Sequence, residues 1–90
     1  MKRETKYIAI LSGFLVLFVA VQLFGPLAEQ AGRSRMEVVT SGNTVGDVVA
    51  ALGFKIDRSV RFAVNTDYAE PGAVVREGDT VSLIPPVGGG

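Results

Sequence analysis

The sequence predicts an α+β fold in which one main helix packs on one face of a mixed β-sheet. Three observations support this prediction. Segments with the apolar pattern of strands occur in two pairs, and one segment with a helical pattern lies between the pairs. Glycine and proline stand where the chain must turn between these segments. The length, 90 residues, allows one domain with a small core and only shallow clefts.

The composition excludes most self-contained enzymes. The chain has no cysteine and no histidine, which removes thiol nucleophiles, Ser/His and Cys/His arrangements, disulfides and nearly every zinc site, so we expect no bound metal. Nine basic residues balance nine acidic ones. Because the basic residues are scattered, the chain lacks the electrostatic footprint of a nucleic-acid-binding protein, and no nucleic-acid partner is expected.

The first apolar stretch has two competing interpretations. Residues 8–24 are apolar except for Ser12, Gly13 and Gln22, and three basic residues precede them. As a helix the stretch would be about 26 Å long, slightly short of a hydrocarbon core of about 30 Å, so it resembles a membrane anchor or a signal peptide. In the second interpretation, residues 17–24 form a buried strand that ends at the Gly-Pro pair after it.

The second interpretation leaves residues 1–16 as an apolar N-terminal extension of the domain. Three accounts of this extension remain open: an upstream start that is not part of the natural product, an extra helix or strand, or a membrane anchor. A membrane span that included residues 17–24 would remove a central strand and much of the core. We therefore place the domain at residues 17–87, followed by a glycine tail at residues 88–90.

A hairpin is predicted to open the domain. A short helical turn over residues 27–31 follows the first strand, and residues 36–39 form the next strand. The connection is longer than a tight two-residue turn, so the antiparallel pairing of the two strands is inferred from their spacing.

The main helix is predicted from Thr44 to about Leu52. Thr44 can accept the first hydrogen bond of the helix, and Asp47 can return one, as in a capping box. Gly53 suits the left-handed position after the last turn. One face is apolar at helical spacing, and it carries Val45, Val48, Val49 and Leu52.

A second pair of strands is predicted after the helix. Residues 61–65 form one strand, with Phe62 and Val64 pointing inward, and residues 80–84 form the other. In the second strand Val81 and Leu83 point inward. Asn65 closes a turn after its strand, and two further turns are predicted at Pro71-Gly72 and Glu77-Gly78-Asp79.

The chain after Ile84 cannot continue the sheet. Pro85 and Pro86 have no backbone N–H, and Val87 is followed by three glycines. Glycine is entropically costly to order, so we expect residues 88–90 to form a mobile, extended string that can thread a narrow channel. A glycine-rich tail alone is more often a linker, but its position after a strand and Pro-Pro-Val favours a reactive tail.

Several short motifs, taken in order, resemble the MoaD/ThiS family of ubiquitin-like sulfur carriers, and most closely the small subunit of molybdopterin synthase. The resemblance covers residues 17–90 and implies a β-grasp fold. Each motif is weak alone, but their order and spacing are specific. They are Val21 to Glu29 (VQLFGPLAE) with Gly32, Thr44-Val45-Gly46-Asp47, Val64-Asn65, Glu77-Gly78-Asp79, and Ile84 to Gly90 (IPPVGGG).

The resemblance implies a carrier and not an enzyme. In that family an E1-like enzyme adenylates the last glycine with ATP, and a sulfur donor converts the acyl-adenylate to a thiocarboxylate. The carrier then delivers sulfur to an acceptor such as the large molybdopterin synthase subunit. Gly90 would carry the reactive carboxylate, and Gly89 and Gly88 would give the partner access to it. The carrier binds no cofactor, since ATP and the sulfur donor are used by the activating enzyme.

The resemblance also implies a partner-binding patch. Phe24, Tyr68 and Ile84 fall at positions that would meet the partner beside the tail, together with Gly88. Without the resemblance these three side chains would be interpreted as ordinary core or rim residues. Asp47 and Asp79 are better explained as a helix-cap residue and a turn residue than as a catalytic carboxylate pair.

Two kinds of alternative remain. Within the class, the chain could carry sulfur for thiamin, tRNA thiolation or cysteine synthesis, or modify proteins at lysines. In another class, it is a membrane-tethered binding module with an inert tail, held through residues 8–24. The charge on either side of that stretch would, if anything, put the domain outside the cell, where ATP for adenylation is absent. We therefore expect a cytoplasmic carrier.

Overall fold

A mixed sheet with one main helix on one of its faces forms the described part of the chain, which confirms the predicted fold class. The computed structural model describes residues 8–11, 14–53 and 55–86. Its strands are β1 (Ile8–Leu11), β2 (Phe14–Leu23), β3 (Arg35–Thr40), β4 (Arg61–Val64), β5 (Asp67–Ala69) and β6 (Thr80–Ile84). Its helices are α1 (Pro26–Ala31) and α2 (Val45–Ala51).

The sheet is built around β2 and β6. These two strands pair in parallel, with Val21 opposite Val81 and Leu23 opposite Leu83. Strand β3 pairs antiparallel with β2 on its other side, as the sequence predicts, and β4 and β5 continue the sheet beyond β6 with antiparallel pairing. A parallel pair needs a long crossover, and the segment that contains α2 supplies it.

The N-terminal extension adds strand structure to this sheet. Strand β2 begins at Phe14, three residues before the predicted start at Leu17, and β1 pairs antiparallel with residues 14–17 of β2. Within the described residues, the extension therefore contributes strand residues to the sheet, and the choice among its three accounts stays open. Residues 1–7 lie outside the described part, and whether the domain needs the extension stays a prediction. Within the described ranges, no helix is long and apolar enough to cross a membrane.

The core lies between α2 and the sheet. The predicted inward residues of β6, Val81 and Leu83, are fully buried, and so are Val45 and Val48 of the helix. The other two residues of the predicted helix face are partly buried against this core. The remaining core residues come from β2, β3, α1 and the loops, namely Val19, Val21, Leu23, Leu27, Val38, Val60 and Val75.

The predicted capping box starts α2. Thr44 has an extended backbone and its hydroxyl accepts a hydrogen bond from the Asp47 amide at 3.1 Å, while the Asp47 carboxylate accepts one from the Thr44 amide at 3.1 Å. Two amides that lack a partner within the helix are satisfied in this way. Gly53 has a φ of +86°, as predicted for the residue that ends the helix.

The second half of the sheet differs from the prediction in two details. Strand β4 ends at Val64 and not at Asn65, which has a φ of +57° and starts a two-residue turn. The sequence prediction missed β5, which follows this turn and is only three residues long. Phe62 and Val64 face the core as predicted but remain half-buried.

Candidate functional site

The described part of the chain leaves the sheet from its centre. Strand β6 has β2 on one side and β4 on the other, and Pro85 and Pro86 follow directly after it. Gly25, which has a φ of +55°, lies close to Pro85. A Cβ atom at this position would be 3.7 Å from Pro85 Cγ. The predicted reactive residues, Gly88 to Gly90, lie outside the described residues.

The three predicted partner-binding side chains line one groove. Phe24, Tyr68 and Ile84 surround a shallow depression of about 390 Å³ on the sheet face opposite α2. We call this depression the front groove. Phe24 is 44% exposed and Tyr68 is 73% exposed, whereas Ile84 is half-buried. The other residues that line it are Ala63, Asn65, Thr66 and Ser82.

Strand register places these side chains together. Ala63 of β4 is opposite Tyr68 of β5 on one side and Ser82 of β6 on the other. These residues therefore form a row across the sheet, with small side chains in the middle. Phe24 follows Leu23, which pairs with Leu83 in the middle of the sheet. A groove with a small-residue floor and aromatic walls results, and residues far apart in the sequence form it.

The turn that carries Asn65 is held firmly to β6. The Asn65 amide donates a hydrogen bond to the Thr80 carbonyl at 2.7 Å, and the Thr80 amide donates one to Asn65 Oδ1 at 3.1 Å. Asn65 Nδ2 donates a third to Asp79 Oδ1 at 3.2 Å. Asn65 is thus engaged as a turn residue, as the sequence predicts, and it holds one wall of the front groove in place.

The two aspartates that resemble a catalytic pair have structural partners. Asp47 belongs to the capping box of α2. Asp79 accepts a hydrogen bond from the Arg76 amide at 2.9 Å in addition to the one from Asn65. In the ranges that the structure describes, no group of three or more His, Cys, Asp or Glu residues is placed to hold a metal ion.

A second groove lies beside the same chain end. It has a volume of about 650 Å³, and we call it the exit groove. Asp57 lies on it, and hydrogen bonds from the hydroxyl and the amide of Ser59 hold the pKa of Asp57 below its usual value. The residues that line the exit groove are Pro26, Leu27, Gln30, Lys55, Ile56, Asp57, Ser59, Val60, Pro85 and Pro86.

Sequence reasoning missed the exit groove. Its lining comes from α1, the loop after α2 and the end of β6, and no spacing rule connects these segments. The nearest signal in the sequence is the Gly-Pro pair after β2, because proline often marks a helix start. That signal indicates α1 but says nothing about what lies against it.

Comparison with known proteins points to one family. A family model described as the ThiS family matches residues 21–90. The structure is similar to SAMP1 from Haloferax volcanii, with a TM-score of 0.70 and 30% sequence identity over 81% of this chain and 99% of that one.

Two further solved structures share the fold. A putative molybdopterin converting factor, subunit 1, from Pyrococcus furiosus has a TM-score of 0.65 and 26% identity over 78% of this chain and 98% of that one. Small archaeal modifier protein 1 from Methanosarcina acetivorans has a TM-score of 0.70 and 23% identity over 83% and 98%. At 23% identity, the similarity to the Methanosarcina acetivorans protein shows a shared fold and nothing more.

Proposed function

This chain belongs to the ThiS family, and we propose from this premise that it is a sulfur carrier whose Gly90 carboxylate is adenylated and then thiocarboxylated. The observation that supports the proposal is the point at which the described part of the chain leaves the sheet, after β6. Strand β6 directs Pro85 and Pro86 out of the centre of the sheet, and Phe24 and Ile84 form the front groove next to that point. A partner that binds the front groove would therefore contact Ile84, directly before the two prolines that precede the tail.

The chemistry requires little from the carrier itself. A carboxylate is a poor electrophile until one of its oxygens becomes part of a leaving group, and adenylation by an E1-like enzyme with ATP supplies that group. A sulfur donor then displaces AMP, so the C–O bond to AMP breaks and a C–S bond forms. Glycine has no side chain, so a partner can surround the Gly90 carbonyl with hydrogen-bond donors.

The pathway that we propose first is molybdopterin synthesis, with the large molybdopterin synthase subunit as the acceptor. The likeness to the putative converting factor subunit of Pyrococcus furiosus supports this choice. The double proline before the tail also agrees with the molybdopterin branch of the family.

Protein modification is a second candidate, in which Gly90 is joined to lysines of other proteins. The match to SAMP1, which the chain covers almost completely at 30% identity, favours it. Both candidates use the same activated Gly90, so they differ in the acceptor and not in the first step.

Intact mass spectrometry tests the shared step. After incubation with the E1-like enzyme of the same organism, ATP and a sulfur donor, the mass of the chain should rise by the difference between one sulfur and one oxygen. A chain with one residue added after Gly90, and a chain that lacks Gly90, should not gain sulfur. Their thermal stability should match that of the parent, since a glycine tail adds almost nothing to the core.

The same assay separates the two candidates. Thiocarboxylated chain mixed with the large molybdopterin synthase subunit and its substrate should return to the carboxylate form in the first case. Transfer to lysines of other proteins, seen as a ladder of higher masses, indicates the second. A parent chain that never gains sulfur, or an extended chain that gains it equally well, would show that the tail does no chemistry.

A further inference from the structure

Strand β3 forms one lateral edge of the sheet. It pairs with β2 on one side over residues 35–40, and no other strand of the described ranges pairs with its outer side. Beside residues 20–23 of β2, the order across the sheet is β3, β2, β6, β4 and β5. An edge strand presents backbone N–H and C=O groups with which a further strand can pair.

The hydrogen bonds of β2 show which backbone groups of β3 point outward. The Ala20 amide donates to the Asp79 carbonyl, on the side of β2 away from β3, and Ala20 lies opposite Glu37. In an antiparallel pair, residues that exchange hydrogen bonds with the residue opposite alternate with residues that do not. The backbone groups of Glu37 therefore point away from β2, toward the outer edge. By the same alternation, so do those of Arg35 and Val39.

The outer edge of β3 lacks the features that protect the other edge of the sheet. Strand β5 has three residues and is followed by Glu70 and Pro71. Strand β3 has six residues, no proline and an unbroken register with β2. Short strands, prolines and bulges are common means by which an edge avoids pairing with another chain. Residues 35–40 thus offer a regular row of backbone groups to a second strand.

The side chains beside this edge carry opposite charges two residues apart. Arg35, Glu37 and Val39 are exposed on the sheet face opposite α2, and Arg35 donates to Gln22 Oε1 on that face at 3.0 Å. When two β3 strands pair antiparallel, Arg35 can lie opposite Glu37 of the second copy while Glu37 lies opposite Arg35. Opposite charges on directly facing residues stabilise a strand pair, and like charges destabilise it.

We propose that the outer edge of β3 is the interface of a symmetric homodimer, in which two copies pair β3 antiparallel with Met36 opposite Met36. Arg35 and Glu37 then exchange backbone hydrogen bonds, because both point their backbone groups outward. The two-fold axis repeats this contact, so both charged pairs join opposite signs. A register shifted by two residues in either direction would place Glu37 opposite Glu37, or Arg35 opposite Arg35, and is disfavoured.

The proposed dimer leaves the front groove accessible. Residues of β4, β6 and β5 line that groove together with Phe24 and the turn before β5, whereas β3 is the opposite edge of the sheet. Two copies form one continuous sheet with a front groove toward each end. The inference therefore concerns a different surface from the predicted partner patch, and it does not depend on activation of Gly90.

Charge reversal tests the pairing. Analytical ultracentrifugation of the full-length parent should show a monomer–dimer equilibrium at concentrations up to the millimolar range. Arg35→Glu and Glu37→Arg each bring like charges together in both cross-strand pairs, so each should raise the dissociation constant by about tenfold or more. The double variant Arg35→Glu/Glu37→Arg restores opposite charges and should dimerise as the parent does. Circular dichroism checks that each variant is folded.

An equimolar mixture of the two single variants provides a matched test. In a heterodimer of Arg35→Glu with Glu37→Arg, the two introduced charges face each other, the two original charges face each other, and both pairs have opposite signs. The mixture should therefore dimerise although each variant alone does not. Single variants that dimerise as tightly as the parent, or a mixture that stays monomeric, would overturn the inference.

Cysteine substitution tests the register. The chain has no cysteine, so Met36→Cys introduces a single thiol beside the two-fold axis. Facing residues of a non-hydrogen-bonded antiparallel pair have Cα atoms about 4.5 Å apart, which a disulfide can span. Mild oxidation should therefore give a disulfide-linked dimer. Val39→Cys is the control, because Val39 is more exposed than Met36 but would lie about 20 Å from Val39 of the second copy.

Three further results would contradict the proposed dimer. A parent that stays monomeric at millimolar concentration would overturn it. A disulfide-linked dimer of Val39→Cys and not of Met36→Cys would show a different contact between the copies. Hydrogen exchange gives the third: amides of Glu37 and Val39 that become protected only when a different protein binds would assign the edge to that protein and not to a second copy.

Discussion

Tyr68 and Phe24 expose more apolar surface than folding alone explains. Both side chains line the front groove, and almost three-quarters of the surface of Tyr68 is exposed to solvent. Single exposed apolar residues are common, but a cluster beside a functional segment is typical of a binding surface. Tyrosine is also frequent among the residues that dominate binding energy, because its ring is large and its hydroxyl tolerates water.

The first prediction concerns docking at the front groove. Tyr68→Asp and Ile84→Asp each place an unpaired charge in the interface, so each should weaken binding of the activating enzyme or the acceptor by about 2 to 4 kcal/mol. Isothermal titration calorimetry with the purified partner measures this loss. Circular dichroism checks that each variant is folded before its affinity is interpreted.

A matched control comes from the same face of the sheet. Val39 of β3 is 45% exposed, close to the value for Phe24, but it does not line the front groove. Val39→Asp should therefore leave the affinity nearly unchanged. If it weakens binding as much as Tyr68→Asp does, the interface is broader than the front groove and the three named residues do not define it.

At the scale of elements, the turn before β6 (Glu77-Gly78-Asp79) is hydrogen-bonded to the middle of β2. The Gly78 amide donates to the Phe18 carbonyl at 3.0 Å, and the Ala20 amide donates to the Asp79 carbonyl at 3.0 Å. The Phe18 amide donates to Glu77 Oε1 at 3.1 Å. These bonds fill the edge of β2 between the residues that pair with β1 and those that pair with β6.

Glu77 makes the contribution of this turn to stability depend on pH. Its Oε2 atom is shielded from solvent and has no hydrogen-bond partner in the described part of the chain. Burial raises the pKa of Glu77 above its usual 4.5, the hydrogen bond from Phe18 lowers it, and the nearby charge of Glu37 raises it further. The net shift is upward, so the folded state binds this proton more tightly than the unfolded chain does.

The second prediction follows from the sign of that shift. As the pH rises from 4.5 through the raised pKa, the folded state loses a proton that it holds more tightly, so the contribution of Glu77 to stability falls. Glu77→Gln has no such titration. The free energy of unfolding of the parent should therefore fall relative to that of Glu77→Gln between pH 4.5 and neutral pH.

Denaturant titrations of both proteins across this range measure the difference. The comparison cancels the contributions of carboxylates that do not interact with Glu77, including Asp57, whose pKa shifts in the opposite direction. A constant difference across the range, or one that grows in favour of the parent with rising pH, would contradict the assigned environment of Glu77.

At the scale of the whole molecule, β2 connects the N-terminal extension to the domain. Residues 17–22 pair with β3 and residues 20–23 with β6, while residues 14–17 pair with β1. The inward residues of the second half of β2, Val19, Val21 and Leu23, are almost completely buried. The core thus depends on β2 from residue 17 onward.

The third prediction concerns truncation. Deletion of residues 1–15 removes β1 and the start of β2 but keeps every pairing with β3 and β6, so the protein should stay folded. Deletion of residues 1–24 removes three fully buried core side chains, and loss of even one such residue typically costs about 2 to 5 kcal/mol, so this protein should unfold. Thermal unfolding followed by circular dichroism distinguishes these outcomes. An unfolded protein after the shorter deletion would show that the extension belongs to the domain.

The sequence by itself determined the elements whose signals are local. The capping box and the apolar spacing of α2 lie within nine residues, and the glycine of the turn before β6 has the positive φ, +85°, that glycine favours. Short-range sterics and hydrogen bonds decide such features, so a window of the chain contains the necessary information. The family was also recognisable from short motifs taken in order along the chain, and the ThiS family model matches residues 21–90.

Only the tertiary structure decided how distant segments meet. Strand β5 has three residues and no apolar pattern of its own, and it exists because β4 offers an edge to pair with. The front groove depends on the strand register that places Ala63 between Tyr68 and Ser82. The exit groove depends on three segments that come together: the start of α1, the loop with Lys55 and the prolines after β6. Packing of the whole core determines such contacts, and no local window of the sequence contains the information needed to predict them.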